Sequence, residues 1–212
     1  MVERVVAIDG PAGSGKSTVA RALAVHLNLE YLDTGAMYRG VAYAVLQGGI
    51  NPTDSAAVGT VARAVSLEIT ESRCLVNGED VSAAIRGSEV TRAVSAVAAN
   101  PEVRTEMVAR QRAWIEELGG GVMEGRDIGS VVFPDAELKV YLTASPEVRA
   151  QRRASEVSEL DLDEVAAEIR RRDDADSNRT ASPLVRADGA LVLDTSELTV
   201  DGVVGVIVEM LG

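Results

Sequence analysis

The feature that most constrains this chain is Gly10-Pro11-Ala12-Gly13-Ser14-Gly15-Lys16-Ser17. It matches the pattern G-x-x-x-x-G-K-[ST] in full. The flanks fit as well: residues 4–9 read as a short strand buried on both faces, and 16–27 as a helix with Val19, Ala20, Leu23 and Leu27 on one face. Glycines let successive backbone N–H groups turn toward one phosphate, and the following helix adds the positive end of its dipole. Lys16 then reaches the β- and γ-phosphates of a nucleoside triphosphate, and the Ser17 hydroxyl is placed for Mg²⁺. Gly10, Pro11, Ala12, Gly13, Ser14, Gly15, Lys16, Ser17 and Thr18 are therefore the expected triphosphate site.

Beyond this loop the pattern alternates. Residues 29–32 read as a strand and 36–47 as a helix ended by Gly48-Gly49. Residues 67–70 and 74–77 read as short strands around an Asn77-Gly78 turn signal, within an antiparallel insert over about 63–86. A helix is expected over 88–99. Asn100-Pro101 then caps another that runs to Leu118, where Gly119-Gly120-Gly121 stops it. Strands follow at 122–124 and 138–142, and Ser145-Pro146 opens a helix. After a polar stretch, Asp161 and Glu164 have capping-box spacing at the head of a helix near 163–178. A strand at 191–193 and a helix at 199–211 close the chain. Strands alternating with helices predict an α/β fold with three layers and a central parallel sheet.

Composition narrows the class. With 33 acidic and 21 basic residues the net charge is -12, so an anion must be held by local positive groups, and nucleic-acid polymers are not expected partners. Lys16 and Lys139 are the only lysines; the remaining basic residues are arginines, whose planar fork suits phosphate and carboxylate. No apolar run reaches the 18 or so residues that span a bilayer, so no membrane association is expected. The start, Met1-Val2-Glu3-Arg4, has no signal-peptide layout, and one cysteine, Cys74, allows no internal disulfide. A cytoplasmic protein is expected. His26, late in the first helix, reads as a surface residue, Cys74 as structural and Trp114 as core packing. Clusters of His and Cys that could hold a metal are excluded by count.

What receives a phosphate must come from elsewhere. No N-K-x-D motif for guanine is present, and the strand at 138–142 does not end in an acid as an ATPase motor's would. Three arginine-bearing segments instead suit a phosphorylated acceptor: Asp33-to-Arg39, Glu124-Gly-Arg126-Asp127-Ile-Gly, and Arg170-to-Arg179. The first two follow strands, at the sheet edge where open α/β folds bind ligands. In the third, Arg172, Asp176 and Arg179 fall within about 60° on one helix face.

Together with Gly10-to-Thr18 and the Val-Phe-Pro-Asp stretch at 132–135, these segments resemble the bacterial cytidylate kinases over nearly the whole chain. The resemblance implies a P-loop nucleoside monophosphate kinase with an antiparallel insert in its monophosphate-binding region and a short lid. It implies transfer of the γ-phosphate of ATP to CMP or dCMP with Mg²⁺ in pyrimidine nucleotide metabolism, by a chain expected to act as a monomer. The core would be about 1–33, 101–150 and 180–212, the monophosphate region 34–100 and the lid 150–170.

By family pattern Arg39, Arg126 and Arg179 hold the monophosphate, and Ser95, Arg104 and Asp127 read cytosine. Arg172 and Asp176 hold the sugar, and Thr34 and Tyr38 complete the pocket. Thr34 stands where the family often has Ser and keeps the hydroxyl. Lys16, Arg126, Arg179 and the lid arginines Arg149 and Arg153 would act on the transferring phosphate. An alternative role for Asp127 is contact with Mg²⁺ through water. The other readings kept open are a small P-loop kinase acting on AMP, dTMP or shikimate, and a non-enzymatic ATP-binding switch.

Overall fold

The computed structural model describes residues 4–156 and 161–211. Its main sheet has five parallel strands in the order β2-β6-β1-β7-β8. These are β1 (Arg4–Asp9), β2 (Tyr31–Asp33), β6 (Gly120–Gly125), β7 (Leu138–Thr143) and β8 (Leu191–Asp194). A second sheet, β3 (Leu67–Ile69), β4 (Cys74–Val76) and β5 (Glu79–Asp80), is antiparallel and forms the expected insert. Helices on both faces complete the three layers: α1 (Lys16–Leu27) and α8 (Val200–Leu211) on one side, and α2 (Thr34–Gln47), α4 (Ser88–Ala99) and α5 (Pro101–Leu118) on the other.

The central strand explains the order. Val5, Val6, Ala7 and Ile8 of β1 are all buried, because helices cover both faces; this is why the run carries no alternation. Val6 and Ile8 pack with Val19, Leu23 and Ile207, whereas Val5 and Ala7 pack with Leu32, Met107 and Met123. Every strand of this sheet then delivers its carboxyl end to the same edge.

Some boundaries differ from the sequence reading. Only Gly119, left-handed at φ 73°, ends α5; Gly120 and Gly121 already belong to buried β6. A Cβ on Gly121 would lie 2.5 Å from the Trp114 ring, so the glycine is where that half-buried indole packs. Helix α2 begins earlier than expected, at Thr34, because the Asp33 carboxylate accepts from Ala36 N–H. Four elements were not expected from the sequence: α3 (Ser55–Ala64), capped by Asp54, the short strand β5, a 3₁₀ turn at Ala84–Arg86 and a one-turn π-helix at Ile128–Val132. Asp161 does precede α7 (Leu162–Asn178), but its exposed carboxylate accepts no capping bond, so the expected capping box is not made. Residues 157–160 of the expected lid and residues 1–3 lie outside the described residues. The rest of the lid segment is the end of α6 (Pro146–Glu156) and the start of α7.

Candidate active site

The carboxyl ends of β1, β2 and β6 open on one cleft of about 390 Å³. Its donor side is the glycine-rich loop. Gly10 has φ +150°, and a Cβ there would lie 2.1 Å from the Leu142 carbonyl oxygen. Gly13 has φ +74°, with the Arg149 carbonyl oxygen 2.8 Å from where its Cβ would be. The loop is thus pressed between β7 and α6, a path open only to glycine at these two points.

Hydrogen bonds fix the loop further. The Ser14 hydroxyl and Lys16 Nζ both donate to the Pro11 carbonyl, at 3.0 and 2.7 Å. Ala12 N–H donates to Asp173 at 3.0 Å, while Arg149 donates to the Ala12 carbonyl at 3.1 Å and pairs with Asp173. Lys16 is 7% exposed, and burial, with repulsion from Arg126 next, lowers its pKa well below the usual lysine value. Glu124, buried at the end of β6, faces it; burial and then Asp33 raise the pKa of that carboxyl. The Tyr31 hydroxyl donates to Glu124, and the Ser17 hydroxyl hydrogen-bonds to it as well.

The side facing the loop is built from arginines and two carboxylates. Arg126 Nε–H donates to Asp176 at 2.9 Å. Arg179 lies 3.7 Å from the other Asp176 oxygen and donates to Asp127 at 3.3 Å. Arg104 pairs with the second Asp127 oxygen; both residues are 4% exposed. The Arg104 guanidinium also sits 5.2 Å from the centre of the Tyr38 ring. Thr34 donates its hydroxyl to the Glu124 backbone carbonyl at 2.6 Å. Arg39 donates to the Ile85 carbonyl and to Thr91 Oγ1, each at 3.0 Å.

The cluster is cationic by construction. Burial, then Arg126 and Arg39, brings Arg172 down to about 9; burial, then Arg153, brings Arg39 down to about 10. Both remain charged at neutral pH, in a place that an anion would stabilise.

Nearly every residue singled out by sequence meets here. Ala12, Gly13, Gly15, Lys16, Ser17 and Thr18 line the cleft from the loop. Thr34, Tyr38, Arg39 and Ser95 line it from α2 and α4, and Arg104, Arg126 and Asp127 from α5 and the segment after β6. Arg153, Arg172, Asp176 and Arg179 close the remaining side. Gly10, Pro11 and Ser14 form the back of the loop, and Arg149 lies outside the lining and grips the loop backbone instead. His26 is exposed and Cys74 buried, as expected.

Four charged lining residues had no assigned part: Glu124, Asp33, Arg21 and Arg86. Glu124 and Asp33 each end a strand, which was signal enough to find them. Arg86 follows from a short 3₁₀ turn at Ala84–Arg86 whose position over the cleft no local pattern encodes.

A P-loop beneath a parallel sheet, facing an arginine-lined second subsite, defines a P-loop kinase. The family model for cytidylate kinase matches residues 6–212. A cytidylate kinase of Mycobacterium leprae is 53% identical over 202 residues, covering 93% of this chain and 91% of that protein. One from Corynebacterium efficiens is 50% identical over 214 residues, covering 97% and 93%. The chain therefore belongs to the cytidylate kinase family. Among solved structures, a gluconokinase from Sinorhizobium meliloti superposes with TM-score 0.52 at 13% identity, covering 99% of this chain and 92% of that one, a likeness of fold alone. Among the described residues no helix is long and apolar enough to cross a membrane.

Proposed function

We infer that the protein transfers the γ-phosphate of ATP to CMP or dCMP, giving ADP and CDP or dCDP. The observation that carries this reading is the single cleft in which Lys16 of the phosphate loop and the Arg39, Arg126, Arg172 and Arg179 cluster face one another. A donor triphosphate and an acceptor monophosphate bound there would meet end to end. In the transfer a phosphate oxygen of CMP forms the new P–O bond as the bond between the γ-phosphorus and the β-bridging oxygen breaks.

This chemistry asks for alignment and for charge neutralisation on the transferring group. The acceptor oxygen is already anionic, so no general base is assigned. Lys16 is held at the loop by the Pro11 carbonyl and would exchange that contact for phosphate oxygens. Arg126 and Arg179 would grip the monophosphate, with Arg39 beside them. Arg153, facing the cleft from α6, would add charge on the lid side, and closure there would exclude water, a competing acceptor. Arg149 is assigned to holding the loop in shape.

Base and sugar recognition follow from what is left. Asp127 can accept from the exocyclic amine of cytosine, while Arg104 and Ser95 donate to the ring acceptors. Arg172 and Asp176, both in the cleft lining, would hold the sugar. The Tyr38 ring, 5.2 Å from the Arg104 guanidinium, would help to hold that side chain in place.

Mg²⁺ fits the residues present. Such an ion is coordinated mostly by phosphates and waters and needs only one or two protein oxygens. The Ser17 hydroxyl and the Glu124 carboxylate beside it would hold the ion. Glu124 is the carboxylate we assign, because it is the one hydrogen-bonded to the Ser17 hydroxyl. The ion supplies neutralisation of the triphosphate charge. The partners are then ATP and CMP or dCMP, and we keep the expectation of a monomer.

The test is acceptor dependence. With ATP and Mg²⁺, ADP should form only when CMP or dCMP is added. ADP formation at the same rate without any acceptor would point to an ATPase or a switch instead.

A further inference from the structure

The turn that carries Arg126 and Asp127 has an unusual cap. β1 and β6 run parallel with Asp9 opposite Gly125, and both strands end there. The chain leaving β6 enters the π-helical turn at Ile128, and the first N–H groups of a helical turn have no partner within it. Ile128 and Gly129 are buried, so these donors cannot be left to water. The ordinary solution is the side chain of the preceding residue, here Asp127. Asp127 makes no such bond: its carboxylate is turned to Arg104 and Arg179.

Asp9 does the capping from the neighbouring strand. Its Oδ1 accepts from Ile128 N–H at 2.9 Å and its Oδ2 from Gly129 N–H at 2.8 Å. It is 3% exposed and is the last residue before the phosphate loop. Two carboxylates thus stand close together, with Lys16 nearby offsetting their repulsion.

We propose that Asp9 is a positioning residue for acceptor specificity: by capping the 128–132 turn from the adjacent strand, it releases Asp127 from local capping, so that its carboxylate stays turned to Arg104 and Arg179 in the cleft lining, the orientation from which it would read the acceptor base. This inference rests on Asp127 being the base-reading group. It gives a residue on the donor strand a role on the acceptor side. Without Asp9 the two N–H groups would recruit the nearest acceptor, and Asp127 is the residue at the cap position.

The variant is Asp9→Asn, in the full-length protein. The amide keeps one acceptor but turns an N–H₂ toward the other N–H, so one of the two bonds is lost. We expect kcat/KM for CMP to fall about ten-fold or more, the size of one lost charge-assisted bond, and the preference for CMP over UMP to shrink with it. The Kd of a non-hydrolysable ATP analogue should change less than about three-fold, which a general loosening of the fold would not spare. A parallel loss of ATP-analogue binding would assign Asp9 to the phosphate loop and overturn the proposal. So would an unchanged CMP-to-UMP ratio. Equal use of CMP and UMP by the unmodified protein is a different failure, that of the cytosine reading itself. Should Asp9→Asn not fold, amide hydrogen exchange in the unmodified protein gives a second reading. The Ile128 and Gly129 amides should be strongly protected without nucleotide, and exchange as fast as in exposed loops would refute the capping role.

Discussion

Arg126 on the segment after β6 and Asp176 on α7 are joined by a 2.9 Å hydrogen bond in the lining of the cleft. Arg179 shares the same carboxylate at 3.7 Å. Asp176 thus holds two arginines together against their mutual repulsion, and in the proposed reading these two arginines grip the incoming phosphate. Arg126→Ala and Arg179→Ala should each weaken CMP binding about ten- to hundred-fold, since a hydrogen bond to a charged group contributes roughly 1.5–3 kcal/mol. Separate titrations of CMP and of an ATP analogue check this. A loss confined to the ATP analogue would move these arginines to the donor side.

Lys16 separates activity from stability. It is buried, with its pKa lowered by that burial, and its Nζ donates to one backbone carbonyl. Lys16→Ala should leave the fold intact, because the relief of a costly buried charge is set against the loss of a cation facing Asp9 and Glu124. Turnover should fall by roughly 10²–10³ or more, the size of losing one aimed charge stabiliser. Thermal denaturation alongside steady-state ADP formation decides it; ordinary turnover would end the phosphate-loop assignment.

Asp127 cannot be removed as harmlessly. Arg104 and Arg179 both pair with it in a buried setting. Asp127→Ala should cost about 3–5 kcal/mol of stability, because two buried cations lose their counter-charge. Asp127→Asn should fold better and still show a reduced preference for CMP over UMP. Denaturant titration of the two variants, followed by kinetics on the folded one, separates packing from recognition.

Cys74 offers a pH test away from the chemistry. Burial first, then Asp33 and Asp80, pushes its thiol up to about 11. A raised thiol pKa means less thiolate at any pH below it. At pH 8 the folded protein should react with iodoacetamide about 100-fold more slowly than a free thiol of ordinary pKa, with the rate rising only as pH approaches 11. Denaturation should restore ordinary reactivity. Fast alkylation of the folded protein near neutral pH would contradict this burial.

Much of this was legible because the chemistry is carried by short segments at strand ends. The loop at 10–18 announces its strand and helix through glycine spacing, and Asn100-Pro101 marks the α5 start to the residue. Element α3 was missed because Ser55–Ala64 is rich in alanine with one glycine, too weak a pattern against the insert that follows. The glycines at 119–121 read as a helix stop, yet two of them are strand, since Trp114 fills the space a side chain would take. Arg149 was assigned from its neighbourhood in sequence, but its guanidinium meets Asp173 on a helix more than twenty residues away, a pairing set by how α6 and α7 pack. Asp9 lies in an apolar strand, and its partners, Ile128 and Gly129, are brought to it only by the parallel register of β1 and β6.

The most direct measurement is kcat/KM for CMP, dCMP, UMP, AMP and GMP with ATP saturating. Cytosine offers an amine to the Asp127 carboxylate, where uracil offers a carbonyl and leaves a desolvated mismatch; a polar site of this kind rejects the wrong base strongly. Purines should fail by size if the base site is built for one ring. CMP and dCMP should be good acceptors, UMP poorer by at least about ten-fold, and AMP and GMP essentially inactive. Preference for AMP, or equal use of CMP and UMP, would contradict the reading of this cleft as a cytosine site.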